Sequence, residues 1–248
     1  MLVEEYNKLN KENSTDKIDK YFETKTLKRL KGKGLFCGMD FVSVKSLKPN
    51  EYYSRFDHSK NIAYTAWKLS EDLPTTLAGA FHDVGSLSFA HVNSFKKNEG
   101  LTQEHDELSI ESVLKEDKEL LSMLEEDNVK LEDIINAKKY PLIDKSIPAL
   151  CLDRVDGILA TSLFFAKTHT LEQVKNLYNM LSYFDSIEGM IFDSNNERFK
   201  DFNGEIALIE TNNLEFEDFF KAINSYSSIL LTISSTDWEV IGLWCVGQ

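Results

Sequence analysis

Helical patterning is clearest in residues 54–70, whose sequence is SRFDHSKNIAYTAWKLS. Apolar side chains recur there at the spacing that aligns them on one face of a helix, namely Phe56, Ile62, Ala63, Ala66, Trp67 and Leu69. A second helix is predicted to begin at Pro74 and to end at Gly85, because proline favours the first helical turn and glycine favours a helix end.

Most of the remaining chain also has the patterning of helices. The predicted helical segments are residues 1–32, 102–115, 116–137, 148–169 and 170–184. After about residue 186, alternating polar and apolar residues surround the dipeptide Asn203-Gly204, which predicts a β-hairpin, and residues 213–236 are again predicted to be helical. The predicted fold class is therefore mainly α, a helical bundle with a small β-hairpin accessory toward the C-terminus.

The organisation along the chain predicts one principal domain with appendages. We expect an N-terminal helical and extended appendage at residues 1–49 and a principal helical domain at residues 50–185. A C-terminal accessory at residues 186–248 is expected to pack on the same core. No flexible linker marks the boundary near residue 185.

The composition favours a globular protein that does not coat nucleic acid. The chain has 248 residues, with 28 Lys and Arg against 41 Asp and Glu, and its formal net charge is −13. Phosphate backbones bind to clustered basic residues, which such an acidic chain lacks overall. No run of about 18 apolar residues is present, so no membrane span is expected. The three Cys are far apart, which favours buried thiols in a reducing compartment and a cytoplasmic protein.

Histidine and aspartate residues form the most informative pattern in the chain. We expect His58 in the middle of one helix, His82 and Asp83 side by side at the end of the next, and Asp153 near the start of a later helix. Two imidazoles and two carboxylates from three helices can surround one divalent ion, and this mixed donor set suits Mn, Fe, Co, Ni, Zn or Mg. Asp156 competes with Asp153 for the ligand position, and the carboxylate that is not a ligand would then pair with an arginine.

Three stretches of the chain, in order, resemble the signature of a known family. YSRFDHS (53–59), AGAFHDVGSLSFAH (78–91) and CLDRVD (151–156) are similar to the H…HD…D motif of the HD-domain metal-dependent phosphohydrolases. The resemblance extends over residues 50–170 and includes an unassigned bacterial subgroup of HD proteins. It implies an HD-type helical bundle around one divalent metal ion, and hydrolysis of phosphate esters or nucleotide phosphates. The implied metal ligands are His58, His82, Asp83 and Asp153.

The resemblance also implies roles for residues around the metal. His91 and His105 match positions at which the deoxynucleoside triphosphate triphosphohydrolase branch carries histidines that contact phosphate or assist catalysis, so both are candidates for substrate binding or general acid–base chemistry. From the residues alone, an alternative interpretation stays open for each. His91 would be a histidine of the core, and His105 would be an exposed residue at the start of a helix. Arg55 and Arg154 are candidates to bind phosphate or to pair with a ligand carboxylate, and Asp83 counts among the catalytic residues.

The chain departs from that branch at several positions. Ser86, Ser94 and Gly157 stand where the branch has a His, an Asp and a Tyr, and Ala160-Thr161 stands in place of its Arg-Asp pair. The expected function is hydrolysis of a small phosphorylated molecule, such as a nucleotide, by water that the metal activates. The alternative is a weakly active or inactive regulatory protein that binds a metal or a nucleotide. Either protein is compatible with a homo-oligomer.

Overall fold

The computed structural model describes residues 1–11, 15–36, 38–45, 48–86, 104–145, 151–184 and 205–208. Most of these residues are helical, which confirms the predicted mainly α fold class. The α-helices in chain order are α1 (Leu2–Lys8), α2 (Asp16–Asp19), α3 (Lys25–Lys28), α4 (Arg55–Ser70), α5 (Leu73–Phe81), α6 (Glu104–Glu116), α7 (Lys118–Glu126), α8 (Leu131–Ile135), α9 (Leu152–Ala160) and α10 (Leu171–Met180). A π-helical turn extends α9, and 3-10 turns lie between other helices; their bounds are Thr161–Phe165 for the π turn and Lys20–Glu23, Arg29–Gly32, Met39–Phe41 and Ala137–Lys139 for the 3-10 turns.

The N-terminal region is more broken than the sequence predicted. The single helix expected over residues 1–32 is divided into α1, α2, α3 and intervening 3-10 turns. Thr15 and Thr24 interrupt it, because both take extended backbone conformations with ψ of 149° immediately before α2 and α3. This region nevertheless contributes to the core, since Tyr6, Tyr21 and Leu27 are fully buried.

A strand replaces the predicted helix after α10. Leu181–Phe184 form β1, which pairs antiparallel with β2, Glu205–Leu208. β2 directly follows Asn203-Gly204, as a strand of the predicted hairpin would, but its described partner is β1. The remaining residues of that hairpin and the helix predicted over residues 213–236 lie outside the described residues.

Helix α4 lies between two parts of the hydrophobic core. Its first turn has a capping box, in which Ser54 Oγ accepts a hydrogen bond from the backbone N–H of Asp57 and the Asp57 carboxylate accepts one from the backbone N–H of Ser54. Ile62 packs into one cluster of buried apolar residues, and Ala63 packs into the other. The helix ends before Glu71, whose φ of 50° is left-handed. Within the described residues, no helix has both the length and the apolar composition that crossing a bilayer requires.

Helix α5 begins as predicted but ends earlier. Asp72 caps it by accepting a hydrogen bond from the backbone N–H of Thr75, and Pro74 lies in its first turn. The helix ends at Phe81 instead of Gly85, and residues 82–85 form a turn. The residues that follow Phe81 therefore leave the helix axis, which allows adjacent side chains to face one site.

Close packing at Gly79 sets the distance between α5 and α4. A Cβ atom at Gly79 would lie 2.9 Å from Ile62 Cγ2 and 3.0 Å from Ile143 Cδ1. Any side chain there would push α5 away from α4. Glycine thus allows the turn after α5 to lie beside the first turn of α4.

Candidate metal centre

His58 lies in the first turn of α4, whereas the sequence analysis expected it in the middle of the helix. Its side chain is 2% exposed. Nδ1 lies 2.6 Å from Asp156 Oδ2, and Nε2 lies 3.1 Å from Asp153 Oδ1. Because a carboxylate accepts a hydrogen bond from Nδ1–H, the imidazole is oriented with Nε2 toward Asp153.

His82 lies in the turn after α5, with its ring centroid 5.3 Å from that of His58. Its Nδ1–H donates to the backbone carbonyl of Gly79 over 2.7 Å. Nε2 is buried and has no hydrogen-bond partner; it lies 3.6 Å from Asp153 Oδ1 and 3.7 Å from Asp83 Oδ2. Both histidines therefore bond to the protein through Nδ1 and direct Nε2 toward the same carboxylate, that of Asp153.

Asp83 has one satisfied and one unsatisfied carboxylate oxygen. Oδ1 accepts hydrogen bonds from Arg55 Nη1 over 2.6 Å and from Ser86 Oγ over 3.0 Å. Oδ2 is buried without a hydrogen-bond partner and faces His82. Buried polar atoms without partners are uncommon in folded proteins, and they commonly mark a position where a ligand or an ion binds.

The two carboxylates of α9 lie on opposite sides of His58. Asp153 faces Nε2 of both histidines. Asp156 is 1% exposed and faces Nδ1 of His58, and its carboxylate also accepts hydrogen bonds from the hydroxyl groups of Tyr6 and Tyr53, each over 2.7 Å. Asp156, the carboxylate that does not face Nε2, is thus bound by two tyrosines. The sequence analysis had considered an arginine as its partner.

The donor atoms at this position fit a divalent cation. Ligand atoms of His58, His82 and Asp83 all lie within 4.8 Å of one another. Asp153 adds a carboxylate oxygen beside the two histidines. Neutral imidazoles and two carboxylates carry a charge of about −2, which matches a divalent ion, and borderline metals accept such mixed nitrogen and oxygen donors.

The charged groups of the site stabilise one another's ionised forms. Burial acts to lower the pKa of His58, but hydrogen bonds to Asp153 and Asp156 outweigh burial and raise its pKa to about 10. Burial likewise acts to raise the pKa of Asp83, but the Arg55 guanidinium and the neighbouring histidines hold it below its usual range. The site therefore retains ionised carboxylates and attracts positive charge.

The two predicted arginines have different surroundings. Arg55 is almost fully buried and binds Asp83 and Ser86, so that it pairs with a carboxylate, one of its two predicted roles. Arg154 lies 3.6 Å from Asp144 through Nη2, and it also donates to the backbone carbonyl of Lys145. Arg154 thus contacts residues 144 and 145, at the end of the described range 104–145.

The structure gives less information on the two predicted catalytic histidines. His91 and Ser94 lie outside the described residues. His105 lies in the first turn of α6, and only its backbone is described. Their roles in substrate binding or proton transfer stay predictions.

Several contributors to the site were missed by the sequence analysis. Tyr6 and Tyr53 bind Asp156 from positions distant in sequence, and no local motif marks them. Lys33 donates to the backbone carbonyl of Ser86, and Arg29 donates to that of Val84, so two basic side chains hold the turn that contains Asp83. Their basic character is visible in the sequence, but their proximity to the site is not.

Comparison with known proteins gives one family. Residues 55–161 match the family model of the HD domain. This range begins at Arg55 and includes His58, His82, Asp83, Asp153 and Asp156. No curated protein matches the chain.

Proposed function

We propose, on the premise that this chain belongs to the HD domain family through residues 55–161, that it hydrolyses a small phosphorylated substrate, either a nucleotide or a phosphate ester. The HD domain implies a superfamily of metal-dependent phosphohydrolases. The bond and the substrate class are our proposal.

One observation carries the proposal. Three side chains present His58 Nε2, His82 Nε2 and Asp83 Oδ2 to a common position, while the second polar atom of each is bonded to the protein. Two of these three atoms are buried without a hydrogen-bond partner. A core that only packed apolar groups would not leave such atoms unsatisfied, because each costs about 1–3 kcal/mol.

His58, His82, Asp83 and Asp153 would hold the metal ion in this proposal. A divalent ion at such a site supplies positive charge for phosphate oxygens and lowers the pKa of bound water toward about 7. Arg55 contributes by keeping Asp83 ionised and oriented. Arg154, His91 and His105 are the proposed contacts for phosphate, and the two histidines are the proposed groups that move protons.

The alternative function, a weakly active or inactive regulatory protein, is favoured by one feature. Ser86 stands where the triphosphohydrolase branch has a histidine, and its hydroxyl group is bonded to Asp83 and Arg55. Its side chain therefore supports a ligand carboxylate and offers no proton to a substrate.

Metal analysis combined with an activity screen separates these functions. The purified protein would be loaded with Mn, Ni or Co and incubated with a panel of nucleotides and phosphate monoesters and diesters. Metal-dependent release of phosphate or nucleoside supports the hydrolase. Full metal occupancy without turnover on the panel favours the regulatory protein. Failure to bind any metal contradicts the hydrolase and leaves, of the regulatory alternative, only a nucleotide-binding protein.

Asp83→Ala tests the ligand set directly. The variant should lose the metal, since it removes a charged donor, and it should lose metal-dependent turnover with it. Asp127→Ala is a matched control, because Asp127 has a similar exposure but binds Tyr21 and Lys20 instead. An Asp83→Ala protein that keeps stoichiometric metal would overturn the assignment of this residue.

A further inference from the structure

A buried carboxylate with three hydrogen-bond donors lies behind the candidate metal centre. Asp156 Oδ1 accepts from Tyr6, and Asp156 Oδ2 accepts from Tyr53 and from Nδ1 of His58. Tyr6, Tyr53 and Asp156 are each at most 1% exposed. A buried carboxylate is costly unless hydrogen bonds replace its water, and these donors supply that replacement.

The two tyrosines are fixed in orientation by further contacts. Their rings lie edge to face with centroids 5.7 Å apart, and the ring of Tyr53 also stacks on Phe164 at 5.2 Å. The hydroxyl group of Tyr53 accepts a hydrogen bond from Asn61 over 2.9 Å, which leaves its own proton for Asp156. Each hydroxyl group is therefore directed at the carboxylate by packing on a rigid ring.

We propose that Tyr6 and Tyr53 are positioning residues that orient His58 as a metal ligand, a role that rests on the proposed metal-dependent function. They hold the Asp156 carboxylate in one orientation, and that carboxylate holds Nδ1 of His58. Nε2 is then directed to the position that His82 and Asp83 also face. Partners that orient a ligating histidine typically change metal affinity or activity about 10- to 100-fold when they are removed.

Both tyrosines lie outside residues 55–161, the range that matches the HD domain. Tyr6 belongs to α1, whose first backbone N–H groups, those of Leu2 and Val3, donate to the Glu51 carboxylate over 2.7 and 2.9 Å. Asn7, next in α1, donates to Asp57 at the start of α4. Contacts on both sides of Tyr6 thus hold its hydroxyl group against Asp156. In this way the N-terminal region helps to orient His58, a proposed ligand inside the matched range.

If Tyr6 and Tyr53 had only a structural role, their removal would lower stability without a specific loss of metal affinity. Tyr178 provides the comparison, since it is also buried and its hydroxyl group bonds to Thr65 over 2.8 Å. Replacing any of the three by phenylalanine removes one hydroxyl group and keeps the ring. A loss of stability alone would be shared by all three variants, whereas a loss of metal affinity would be specific to those that bind Asp156.

The experiment measures Ni and Mn affinity of the metal-free full-length protein by calorimetry for wild type, Tyr6→Phe, Tyr53→Phe and Tyr178→Phe, with folding checked by circular dichroism. We expect affinity to fall about tenfold in the first two variants, the lower end of the effect of removing a histidine's direct partner, because each variant removes one of the two tyrosine donors to Asp156. Affinity should stay within about threefold of wild type in Tyr178→Phe. Equal affinity in folded wild type, Tyr6→Phe and Tyr53→Phe would overturn the positioning role while leaving the metal centre intact.

A second readout does not require the metal. Proton NMR of the metal-free protein should contain a downfield His58 Nδ1–H signal, assigned by its absence from His58→Gln, because this proton is hydrogen-bonded to a buried carboxylate. Tyr53→Phe should shift or broaden the signal, and Tyr178→Phe should leave it unchanged. If wild type binds no metal, the proposed function fails and this signal alone decides the positioning role, which an unchanged signal in Tyr53→Phe would refute.

Discussion

Arg55 and Asp83 form an ion pair of 2.6 Å between the first turn of α4 and the turn that follows α5. Both side chains are largely buried, at 6% and 14% exposure. Removal of one partner from such a pair leaves a buried charge without compensation, which costs more than the pair contributes. The contact therefore links stability to the orientation of a proposed ligand.

Arg55→Ala should lower the free energy of unfolding by about 3–5 kcal/mol. It should also weaken metal binding, because Asp83 loses the charged one of the two donors that orient Oδ1. Urea unfolding of the metal-free protein measures the first effect. Lys8→Ala is the control, since its pair with Glu5 is exposed and its removal should change stability little. Similar stabilities of the two variants would contradict the importance of the buried pair.

Metal affinity should rise with pH. The pKa of His58 in the metal-free protein is raised to about 10, so His58 carries a proton at neutral pH that a metal must displace. Release of one proton makes the affinity increase about tenfold per pH unit below that pKa. Calorimetry at three pH values between neutral and mildly alkaline, in buffers of different ionisation enthalpy, measures both affinity and proton release. A pH-independent affinity for Ni would argue against His58 as a ligand.

The same proton affects the stability of the metal-free protein. The pKa of His58 is higher in the folded state than its usual value of 6.5, so its contribution to stability is fully present below about pH 6.5 and is lost as pH rises through about 10. Urea unfolding across this range should give a declining stability for wild type. The decline should be smaller in His58→Gln, and an equal decline in both proteins would assign the effect to other groups.

Gly79→Ala should destabilise the fold and disturb the site together. The new Cβ would meet Ile62 and Ile143 at about 3 Å, and overpacking of this kind costs about 1–3 kcal/mol. It would also move the carbonyl group that accepts from His82 Nδ1–H. Gly32→Ala is the control, because a Cβ atom at Gly32 would have no described atom within 4 Å. Thermal unfolding and metal titration of both variants test the expectation, and equal behaviour would contradict it.

His105→Ala should keep the metal and slow hydrolysis by about 10²- to 10⁴-fold, the usual contribution of a general acid or base. Metal content and turnover of the same preparation measure the two effects separately. Unchanged turnover would assign His105 to the surface of α6, and loss of metal would indicate a ligand.

The sequence predicted the parts of the site that local spacing determines. His58, His82 and Asp83 were chosen from motifs on consecutive helices, and the structure brings their ligand atoms together. The family resemblance implied Asp153 as the ligand, but the residues alone left Asp153 and Asp156 open, because the division of roles depends on which face of α9 meets α4. Tyr6 and Tyr53 lie 150 and 103 residues from Asp156, and only the tertiary fold makes them neighbours.

The helical content was predictable because it also depends on local patterns, but the C-terminal ends of helices such as α5 and α10 were not. The capping residues Ser54 and Asp72 act locally, so α4 and α5 begin where the sequence indicates. The extended conformation of Leu181 depends on pairing with Leu208, which lies in a separate segment of the chain. A helical pattern up to residue 184 could not reveal that pairing.

The carboxylates on both sides of His58 have a consequence for how the proposed metal ion would enter the site. An imidazolium between Asp153 and Asp156 can offset one of their two negative charges in the metal-free protein. The proton would thus occupy, in the metal-free protein, part of the electrostatic role that the proposed ion would take. Binding of the proposed ion would then exchange the His58 proton for a metal. The occupancy of the site would depend on the pH of the surroundings and on the metal concentration.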